Sequence, residues 1–570
     1  SALFSIPANT PVSIQPLDDK GMAIQLMRSW MTAMPGEVLS CVGCHESNKD
    51  MATNHRTIAA RKPPRKLAPW KGPVRGFSFR RDVQPVLDKY CVGCHDGVVR
   101  KNRPIPDLRR DQGRFIVFRN RDPGPRVVKG VAKRTLFGKY SGVFDPSFVE
   151  LRAYLRTPGY ESDLRMLNPY EFHATTNELV QILMKGHHGV KLDADAWDRL
   201  VTWIDLNAPC HGTWRDTAGE SRTQQDHGPR RELQKLYAGI VEDPEDLGDQ
   251  AAAVIKPIMP TRQIRPKPKA IDCEGWPFDA KTAERLQAAA GSVKQTVDLG
   301  GGVKLDLVRI PAGQFVMGDP SGRTDESPQA IVNIGKSFWM GRCEITNAQY
   351  HRFDSIHESR FEHKGSWKFS EKHLGWDLDG AKQPVVRISA AQATAFCQWL
   401  SKKTGQTVTL PTESQWEYAC RAGSDQAMSY GKVDSDFSKH ANLADASIRR
   451  LAYDTDGRYT ADLAPRDDRF DDRGLVTADV GGYKPNAWGL CDMHGNAAEW
   501  TRSALRPYPY KDDDGRNLPK PADRLVVRGG SWRERPKRCT SAFRLGYEPW
   551  RKVYNVGFRV VVEIGTGAER

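Results

Sequence analysis

The sequence predicts a multidomain protein in which a mainly α-helical first half is followed by an irregular α/β second half. Its 570 residues, of which 39% are hydrophobic, are sufficient to form several hydrophobic cores. The pentapeptide CVGCH occurs at residues 41–45 and again at 91–95, and the chain around the second copy has helical periodicity. From about residue 298 a different set of short motifs begins.

The chain carries a formal net charge of +15 and has a pI near 9.2, which suits an acidic partner. Segment 54–81 contains nine Lys or Arg residues and no acidic residue, but four prolines interrupt it. It also has no helix-turn-helix or zinc-finger pattern. We therefore interpret it as an extended connector between two modules and expect no nucleic-acid partner.

Membrane and export signals are also informative. No run of eighteen apolar residues occurs, so we expect a soluble protein with no transmembrane segment. The first ten residues, SALFSIPANT, lack the basic start and apolar core of a secretion signal. We expect the numbering to begin at a processed mature terminus.

The two CVGCH copies predict two covalently attached haem c groups. In each copy two thiols can form thioethers with the haem vinyl groups, and the next residue is an imidazole that can bind the iron. The residues concerned are Cys41, Cys44, His45, Cys91, Cys94 and His95. Because haem is attached to such motifs outside the cytoplasm, we expect the protein to be periplasmic.

Two other uses of paired cysteines were considered. A shared four-thiolate zinc site is the main alternative, but 46 residues separate the pairs, and zinc does not require a histidine after each pair. Redox chemistry of a dithiol leaves that histidine equally unexplained.

Two amphipathic helices are predicted after the second CVGCH copy. The first has a capping-box pattern, Thr175 with Glu178, and ends at Gly186. The second begins near Asp193. Its buried face comprises Trp197, Leu200, Val201 and Ile204.

His187 and His188 lie in the turn between these two helices, from which one imidazole could reach the iron carried by His95. We favour His187 as that second axial ligand, and a second histidine would suit electron transfer. His188, His173 and His211 are the competitors. For the first haem no partner stands out, so its sixth position is left open. The residues considered there are Met22, Met27, Met31, Met34, Lys49, Met51 and His55.

Residues 20–215 resemble a known group of haem proteins. The segments RSWMTAMPGEVLSCVGCHE, FRRDVQPVLDKYCVGCHDG and GHHGVKLDADAWDRLVTWIDLNAPCHGTW are similar to planctomycete-type cytochrome c modules and to the haem-bearing part of the hydrazine synthase alpha-subunit family. The resemblance implies haem redox work. It gives a first haem c module over residues 1–75 and a second over residues 76–215.

Residues 216–297 are predicted to be a linker, because they are rich in charge and proline and poor in strand signals. Short helices are indicated at RRELQKLYAGI and DAKTAERLQAAAG. The segment TVDLGGGVKLDLVRI then predicts a pair of strands around a glycine turn.

Residues 298–570 carry motifs that resemble the formylglycine-generating enzyme (sulfatase-modifying factor) family. The motifs include IPAGQFVMGD, LPTESQWEYACRAG, NAWGLCDMHGNAAEWTRS, RLVVRGGSW and NVGFRVV, in the order of the family. The resemblance implies a compact, irregular α/β domain related to C-type lectin folds.

The same resemblance implies one or two Ca²⁺ sites, in which a hard cation is held by carboxylate and carbonyl oxygens. The first site would use Asn442, Leu443, Asp472 and Gly474. The second would use Asp492, Gly495, Ala497 and Glu499.

The chain departs from the family at the catalytic cleft, which is marked by Ser531, Glu534 and Cys539. The family binds Cu(I) with two cysteines, but in GGSWRERPKRC the first of these positions is Glu534. One thiolate and one carboxylate make a poor site for a soft ion. Cys397 and Cys420 match family disulfide positions, but the positions of their expected partner cysteines hold Val560 and Arg544 in this chain. We therefore expect both cysteines to be buried and free.

A non-haem iron site was also considered, because some relatives of this domain are iron enzymes. Four histidines, His351, His357, His363 and His373, lie close together in the sequence. Those relatives take their iron ligands from an additional helical domain that is not found here, so we interpret the segment as a solvated insertion loop.

Three functions remain open. The first is a periplasmic dihaem protein that transfers electrons to or from a redox partner, either a small cytochrome or an enzyme complex, with a non-catalytic second half for binding or assembly. The second is a haem enzyme with an open first iron that acts on a small nitrogen or oxygen compound. The third is a protein-modifying oxidase that uses Cys539. The sequence leaves oligomeric state open.

Overall fold

A computed structural model describes most of the chain, and the chain divides into two units, residues 1–262 and most of residues 263–570. The described residues are 2–27, 30–40, 58–72, 75–99, 105–110, 114–118, 126–129, 142–157, 167–218, 220–243, 245–246, 255–261, 271–363, 375–450 and 466–564. No helix within these ranges combines the length and the apolar character that a bilayer crossing requires.

The first unit combines short helices with a small sheet. Its helices are α1 (Gln84–Tyr90), α2 (Pro146–Arg152), α3 (Glu178–Met184), α4 (Ala194–Asp205), α5 (Trp214–Ala218) and α6 (Glu220–Ala238). Its strands are β1 (Phe4–Ser5), β2 (Arg65–Lys66), β3 (Arg114–Phe118), β4 (Arg126–Lys129) and β5 (Gly142–Phe144). Strand β3 lies between β4 and β5 in an antiparallel sheet, and β1 pairs with β2 in parallel.

The mainly α-helical character expected of the first half is not confirmed by the described residues. Helices α1, α2 and α3 have seven residues each, and a three-stranded sheet lies between α1 and α2 in the chain. Long segments such as 2–27 and 58–72 contain no α-helix. Prolines contribute to this, because each one removes a backbone donor and disfavours helix at the residue before it.

Helix α4 organises the core of the first unit. It begins as predicted at Asp193, whose side chain accepts a hydrogen bond from Ala196 N at 2.8 Å. Its buried residues include Leu200, Val201 and Ile204, whereas Trp197 is half-buried. A further buried α4 residue, Trp203, packs its ring 5.2 Å from that of Phe79.

The predicted capping box of α3 does not form. Residues Ala174–Thr176 are a 3₁₀ turn, which moves the start of α3 to Glu178 and leaves Asn177, not Thr175, as the N-cap residue. The Asn177 side chain accepts a hydrogen bond from Arg156 N instead. A tertiary contact has therefore replaced the local cap.

The second unit contains most of the regular structure. Its helices are α7 (Ala280–Ala289), α8 (Asn347–Tyr350), α9 (Ala390–Thr404) and α10 (Glu413–Arg421). Its strands are β6 (Lys294–Gly300), β7 (Val303–Ile310), β8 (Gly313–Met317), β9 (Ala330–Ile334), β10 (Phe338–Gly341), β11 (Phe361–His363), β12 (Gly375–Asp377), β13 (Val408–Thr409), β14 (Ala498–Ala504), β15 (Leu525–Arg528), β16 (Leu545–Tyr547), β17 (Val556–Gly557) and β18 (Val561–Glu563).

Two sheets dominate this unit. One has the order β13-β18-β10-β7-β6 and the other β16-β15-β14-β17, with β8-β9 and β11-β12 as separate pairs. Strands β6 and β7 form the predicted hairpin, and Gly300, Gly301 and Gly302 at its turn all have positive φ. Much of the remaining chain is loop, in agreement with the irregular α/β domain expected here.

Buried ion pairs join the loops of the second unit to its helices. On α10, Glu417 accepts hydrogen bonds from Arg421 Nε at 2.9 Å and from the Arg528 guanidinium of β15. The Glu413 carboxylate pairs with Arg544 Nε at 2.8 Å and with Arg528 Nε at 3.4 Å. All these side chains are buried, so each charge depends on its partners.

Substitution Glu417→Gln is expected to lower the free energy of unfolding of the second unit by about 3–5 kcal/mol, because Arg528 and Arg421 would both lose a buried carboxylate, and Arg528 would keep only its longer pairing with Glu413. Although burial alone would raise it, Arg528 and Arg421 lower the pKa of Glu417. Its contribution is therefore present above the ordinary glutamate pKa and lost on acidification. Urea unfolding at several pH values checks both effects. The control Asp468→Asn removes an exposed pair with Arg449 and should cost under about 1 kcal/mol; equal losses would contradict the expectation.

Candidate functional site

The second CVGCH copy forms a tight loop at the end of α1. Cys91 N donates to Leu87 O at 2.8 Å, and His95 N donates to Cys91 O at 2.9 Å. Cys91 is half-buried and Cys94 is exposed. Two thiols and an imidazole thus stand on one rigid turn that a helix positions.

The electrostatics of this loop do not favour a reactive dithiol. Burial, with smaller contributions from Cys94 and Asp88, raises the pKa of the Cys91 thiol to about 12. A redox-active CxxC pair instead needs a thiol whose pKa is lowered towards neutrality. The loop is better suited to hold two thioethers than to exchange disulfides.

The structure brings His187 to His95. Gly186 ends α3 with φ of 80°, and a 3₁₀ turn at His187–Gly189 follows. The ring centroids of His95 and His187 are 5.9 Å apart, and their planes differ by 29°. Two imidazoles that share one metal through nitrogen have centroids roughly 6 Å apart, because each metal–nitrogen bond is about 2 Å long. The observed centroid distance is close to this value.

The other candidate histidines are placed differently. The His188 ring stands nearly perpendicular to that of His187, with centroids 4.7 Å apart. His211 stacks on Phe144 at 5.8 Å. His173 is buried, and its carbonyl oxygen accepts from Thr176 N at 3.0 Å.

The first CVGCH copy lies outside the described residues, and with it Cys41, Cys44 and His45. Lys49, Met51 and His55 fall in the same gap. Of the methionines that precede the motif, Met22 is buried in the core of the first unit, and Met34 is exposed.

Residues 255–261 form a strap over the second CVGCH loop. Ile258 N donates to Lys89 O at 2.7 Å. A Cβ atom added to Gly93 would lie 2.5 Å from Met259 Sδ, and one added to Gly189 would lie 3.1 Å from Thr261 O. The strap therefore lies against both the CVGCH loop and the histidine turn. Sequence reasoning assigned it to the linker and gave no sign of this position.

The predicted cleft of the second unit contains a buried ion pair where copper would need a second thiol. The Glu534 carboxylate accepts hydrogen bonds from Arg538, through Nε and through Nη2 at 3.2 Å. The Arg538 side chain is fully buried. Cys539 is also buried, and its thiol is directed at Ser531 O at 4.0 Å. These residues do not fit a Cu(I) site, because the carboxylate is neutralised by a cation already in place.

Cys397 and Cys420 are buried and form no disulfide. Cys420 Sγ lies 3.5 Å from His494 Nε2, while His494 Nδ1 donates to Cys539 O at 2.7 Å. Burial raises the pKa of Cys420 to about 12 and lowers that of His494 to about 4. Both groups are therefore neutral, and this pair lacks the thiolate that nucleophilic catalysis requires.

An oxygen cluster surrounds the first predicted cation position. Asn442 Oδ1 is buried and has no hydrogen-bond partner. A Cβ on Gly474 would lie 2.6 Å from Asn442 Oδ1 and 3.0 Å from Asp472 Oδ1, so these oxygens line one cradle. Burial and the neighbouring Asp445 raise the pKa of Asp472 to about 8. The donor set fits a hard cation.

At the second predicted cation position, the predicted ligand Glu499 is already paired with an arginine. Glu499 is paired with Arg559, with Oε1 2.6 Å from Nη2, and also accepts from Trp416 Nε1 at 2.7 Å. Within the described part of the chain, Asp492 Oδ1 and Glu344 Oε2 are buried and accept no hydrogen bond from a donor group, and the two carboxyl groups lie close enough to affect each other's pKa. Burial raises the pKa of Asp492 to about 6. Glu344 lies in the segment CEITN at residues 343–347, to which the sequence analysis gave no role.

Neither position is a dense cluster of acids. Within the described ranges, no three His, Cys, Asp or Glu side chains converge as a metal site. Any cation at these two positions would therefore depend on amide and carbonyl oxygens as well as carboxylates.

The expectation of a solvated histidine loop was wrong for two of its residues, because His357 and His363 are both buried. His357 Nε2 is 3.0 Å from Val386 O, and His351 Nε2 is 2.9 Å from His357 O. Strands β11 and β12 pair with each other, and Arg533 Nη1 lies 3.2 Å from Glu362 Oε1 of β11. His373 lies outside the described residues.

Comparison with known families shows which family the second unit matches. Residues 303–564 match the model of the sulfatase-modifying factor enzyme 1-like domain, and residues 1–46 match that of the hydrazine synthase alpha subunit middle domain. The C-terminal half therefore contains a domain of the first family. The N-terminal match is short and ends just after the first CVGCH copy.

Three curated relatives are similar to the C-terminal half. The formylglycine-generating enzyme of Streptomyces coelicolor is 27% identical over 44% of this chain and 87% of its own length. The inactive C-alpha-formylglycine-generating enzyme 2 of Bos taurus is 26% identical over 46% of this chain and 90% of its own length. The hercynine oxygenase of Mycolicibacterium smegmatis is 26% identical over 46% of this chain and 62% of its own length.

Substitution Glu534→Gln is expected to lower the free energy of unfolding by about 3 kcal/mol, because the Arg538 charge would remain buried without its carboxylate. The double variant Glu534→Gln with Arg538→Gln should regain part of this loss, which urea unfolding measures. The control Glu548→Gln removes a more exposed carboxylate and should cost under about 1 kcal/mol. An unchanged free energy of unfolding in Glu534→Gln would contradict a stabilising role of the ion pair.

Proposed function

We propose that this protein, whose C-terminal half is a sulfatase-modifying-factor-like domain, is a periplasmic dihaem c-type cytochrome that transfers electrons. The C-terminal domain would serve as a non-catalytic module for binding or assembly. The observation that carries the proposal is the approach of His187 to His95 on the second CVGCH loop. The short N-terminal match to a hydrazine synthase subunit domain agrees with haem chemistry.

Four residues of the second module would hold a haem. Cys91 and Cys94 would attach the haem through two thioethers, and His95 and His187 would bind its iron. A haem held by these residues would supply one-electron redox chemistry. The strap at 255–261 lies beside the loop and would limit the access of water to it.

Two observations support a non-catalytic C-terminal domain. The Glu534–Arg538 ion pair occupies the copper-binding region, and the Cys420–His494 pair is neutral. The similarity to a relative named as inactive agrees with this interpretation. A module of this kind could bind a partner without performing chemistry on it.

The partner proposed here is an acidic redox protein. A chain with a formal net charge of +15 attracts acidic surfaces at long range and speeds their encounter. A small cytochrome or an enzyme complex would both satisfy this requirement.

We also propose Ca²⁺ as a structural ion at the Asn442–Asp472 cradle, where a buried amide oxygen and a buried carboxylate lie together. A cation there would compensate the cost of ionising Asp472 in the interior. The position near Asp492 is the second candidate, with Glu344 as an additional ligand.

Substitution His187→Ala is expected to open one iron to CO. In the dithionite-reduced protein, the variant should bind one more equivalent of CO per chain than the parent, as measured from its absorption spectrum. The control His188→Ala should leave CO binding unchanged. Identical CO binding by His187→Ala and the parent would overturn the bis-histidine assignment. A pyridine haemochrome assay should give two haems per chain, and one after Cys91→Ser with Cys94→Ser.

Added Ca²⁺ is expected to raise the unfolding temperature of the second unit more at pH 8.5 than at pH 5.5. The raised pKa of Asp472, about 8, means that without a cation its ionisation lowers stability as pH rises from about 4 to 8. Calcium binds the ionised form and reverses that loss. Calorimetry with Ca²⁺ or chelator checks this. Asp472→Asn should remove the shift, whereas the exposed control Asp468→Asn should keep it; a calcium effect equal at both pH values would contradict the site.

A further inference from the structure

A second pair of cysteines, far from the CVGCH motifs in the sequence, meets in the second unit. Cys343 follows strand β10 after one arginine, and Cys491 lies in the segment before β14. The two side chains lie close enough to influence each other's pKa, which is raised for Cys343 and lowered for Cys491. The backbones also meet there, because Cys491 N donates to Arg342 O at 2.8 Å.

The surroundings keep these two sulfur atoms together. A Cβ added to Gly481 would lie 3.4 Å from Cys343 Sγ, so the turn at Gly481 covers this thiol. Arg559 Nη2 donates to Cys491 O at 3.0 Å, and Arg559 Nη1 donates to Arg342 O at 3.3 Å. One buried guanidinium thus clamps both segments. Cys491 is fully buried, whereas Cys343 is half-buried.

We propose that Cys343 and Cys491 form a disulfide under oxidising conditions, and that this bond ties the end of strand β10 to the segment before β14. The backbone hydrogen bond from Cys491 N to Arg342 O places the two cysteines on adjoining segments, and their sulfur atoms must approach to about 2.05 Å to bond. The bond would close residues 343–491 into one loop and restrict the unfolded chain. It would also fix the residues that follow each cysteine, Glu344 and Asp492, which are two of the three buried acids at the second cation position.

The oxidant can be any accessible disulfide, for which glutathione disulfide is the probe. The Cys343 sulfur attacks it, forms a mixed disulfide and releases one glutathione, which takes the thiol proton. The Cys491 sulfur then displaces the second glutathione, which takes the other proton. Two cysteine thiols are oxidised by two electrons, and one glutathione disulfide is reduced to two glutathione thiols.

The test uses the full-length haem-containing protein, purified with reductant and equilibrated in glutathione buffers of increasing oxidised fraction. After acid quenching and alkylation with N-ethylmaleimide, trypsin digestion without reduction separates peptides 343–352 and 474–502. We expect one cross-linked species, two hydrogens lighter than the sum of the two thiol peptides, that disappears after reduction. Cys397, which is buried and has no thiol partner described beside it, should be recovered alkylated in every buffer.

Variants add a measurement of stability. In the oxidised parent the unfolding temperature of the second unit should rise by several degrees relative to the reduced protein, and Cys343→Ala should remove that difference. The matched variant Cys397→Ala should retain it. Recovery of both peptides as alkylated thiols, or of Cys343 only as its glutathione adduct, in the most oxidising buffer would overturn the proposal. This outcome is independent of haem ligation and of CO binding, so it separates the disulfide from the proposed electron-transfer function.

Discussion

Buried guanidinium–carboxylate pairs are the constraint on which the second unit depends. Arg528 and Arg559 each neutralise a glutamate and also donate to several backbone carbonyls of loops, among them Ser541, Phe543 and Cys491. A domain with short strands and long loops has few ladder hydrogen bonds to fix its chain, so side chains must satisfy the remaining carbonyls. The same arginines thereby define the cleft, the thiol pair and the acidic positions near Asp492.

The first unit uses a carboxylate for a similar purpose without a cation. Asp205, at the end of α4, accepts hydrogen bonds from Ala23 N at 2.7 Å and Ala174 N at 2.9 Å. Burial raises the pKa of Asp205 to about 6. Its two bonds connect the N-terminal segment and the turn before α3 to the helix that carries the core. The position of His187 relative to His95 depends on this framework, because α3 leads directly into the histidine turn.

Local signals predicted the parts of this structure that are decided locally. The start of α4 at Asp193 and the β6–β7 hairpin at three glycines follow from capping and turn chemistry. Thr175 failed as a cap because Asn177 is held by Arg156, a partner twenty-one residues away in the chain. The contact of strap 255–261, the role of Glu344 and the burial of His357 depend on tertiary packing, which a single sequence does not specify. The structure places the His187 ring beside that of His95, and the role of His187 as an iron ligand is a proposal.

The Glu534–Arg538 pair also constrains how this sequence can change. A cysteine at position 534 alone would remove the carboxylate that Arg538 is bonded to and would place a thiol beside a buried guanidinium. A neutral residue at position 538 alone would remove the cation bonded to that carboxylate. A two-thiol metal site at this place therefore requires both positions to change together, because each of the two residues is suited to the other.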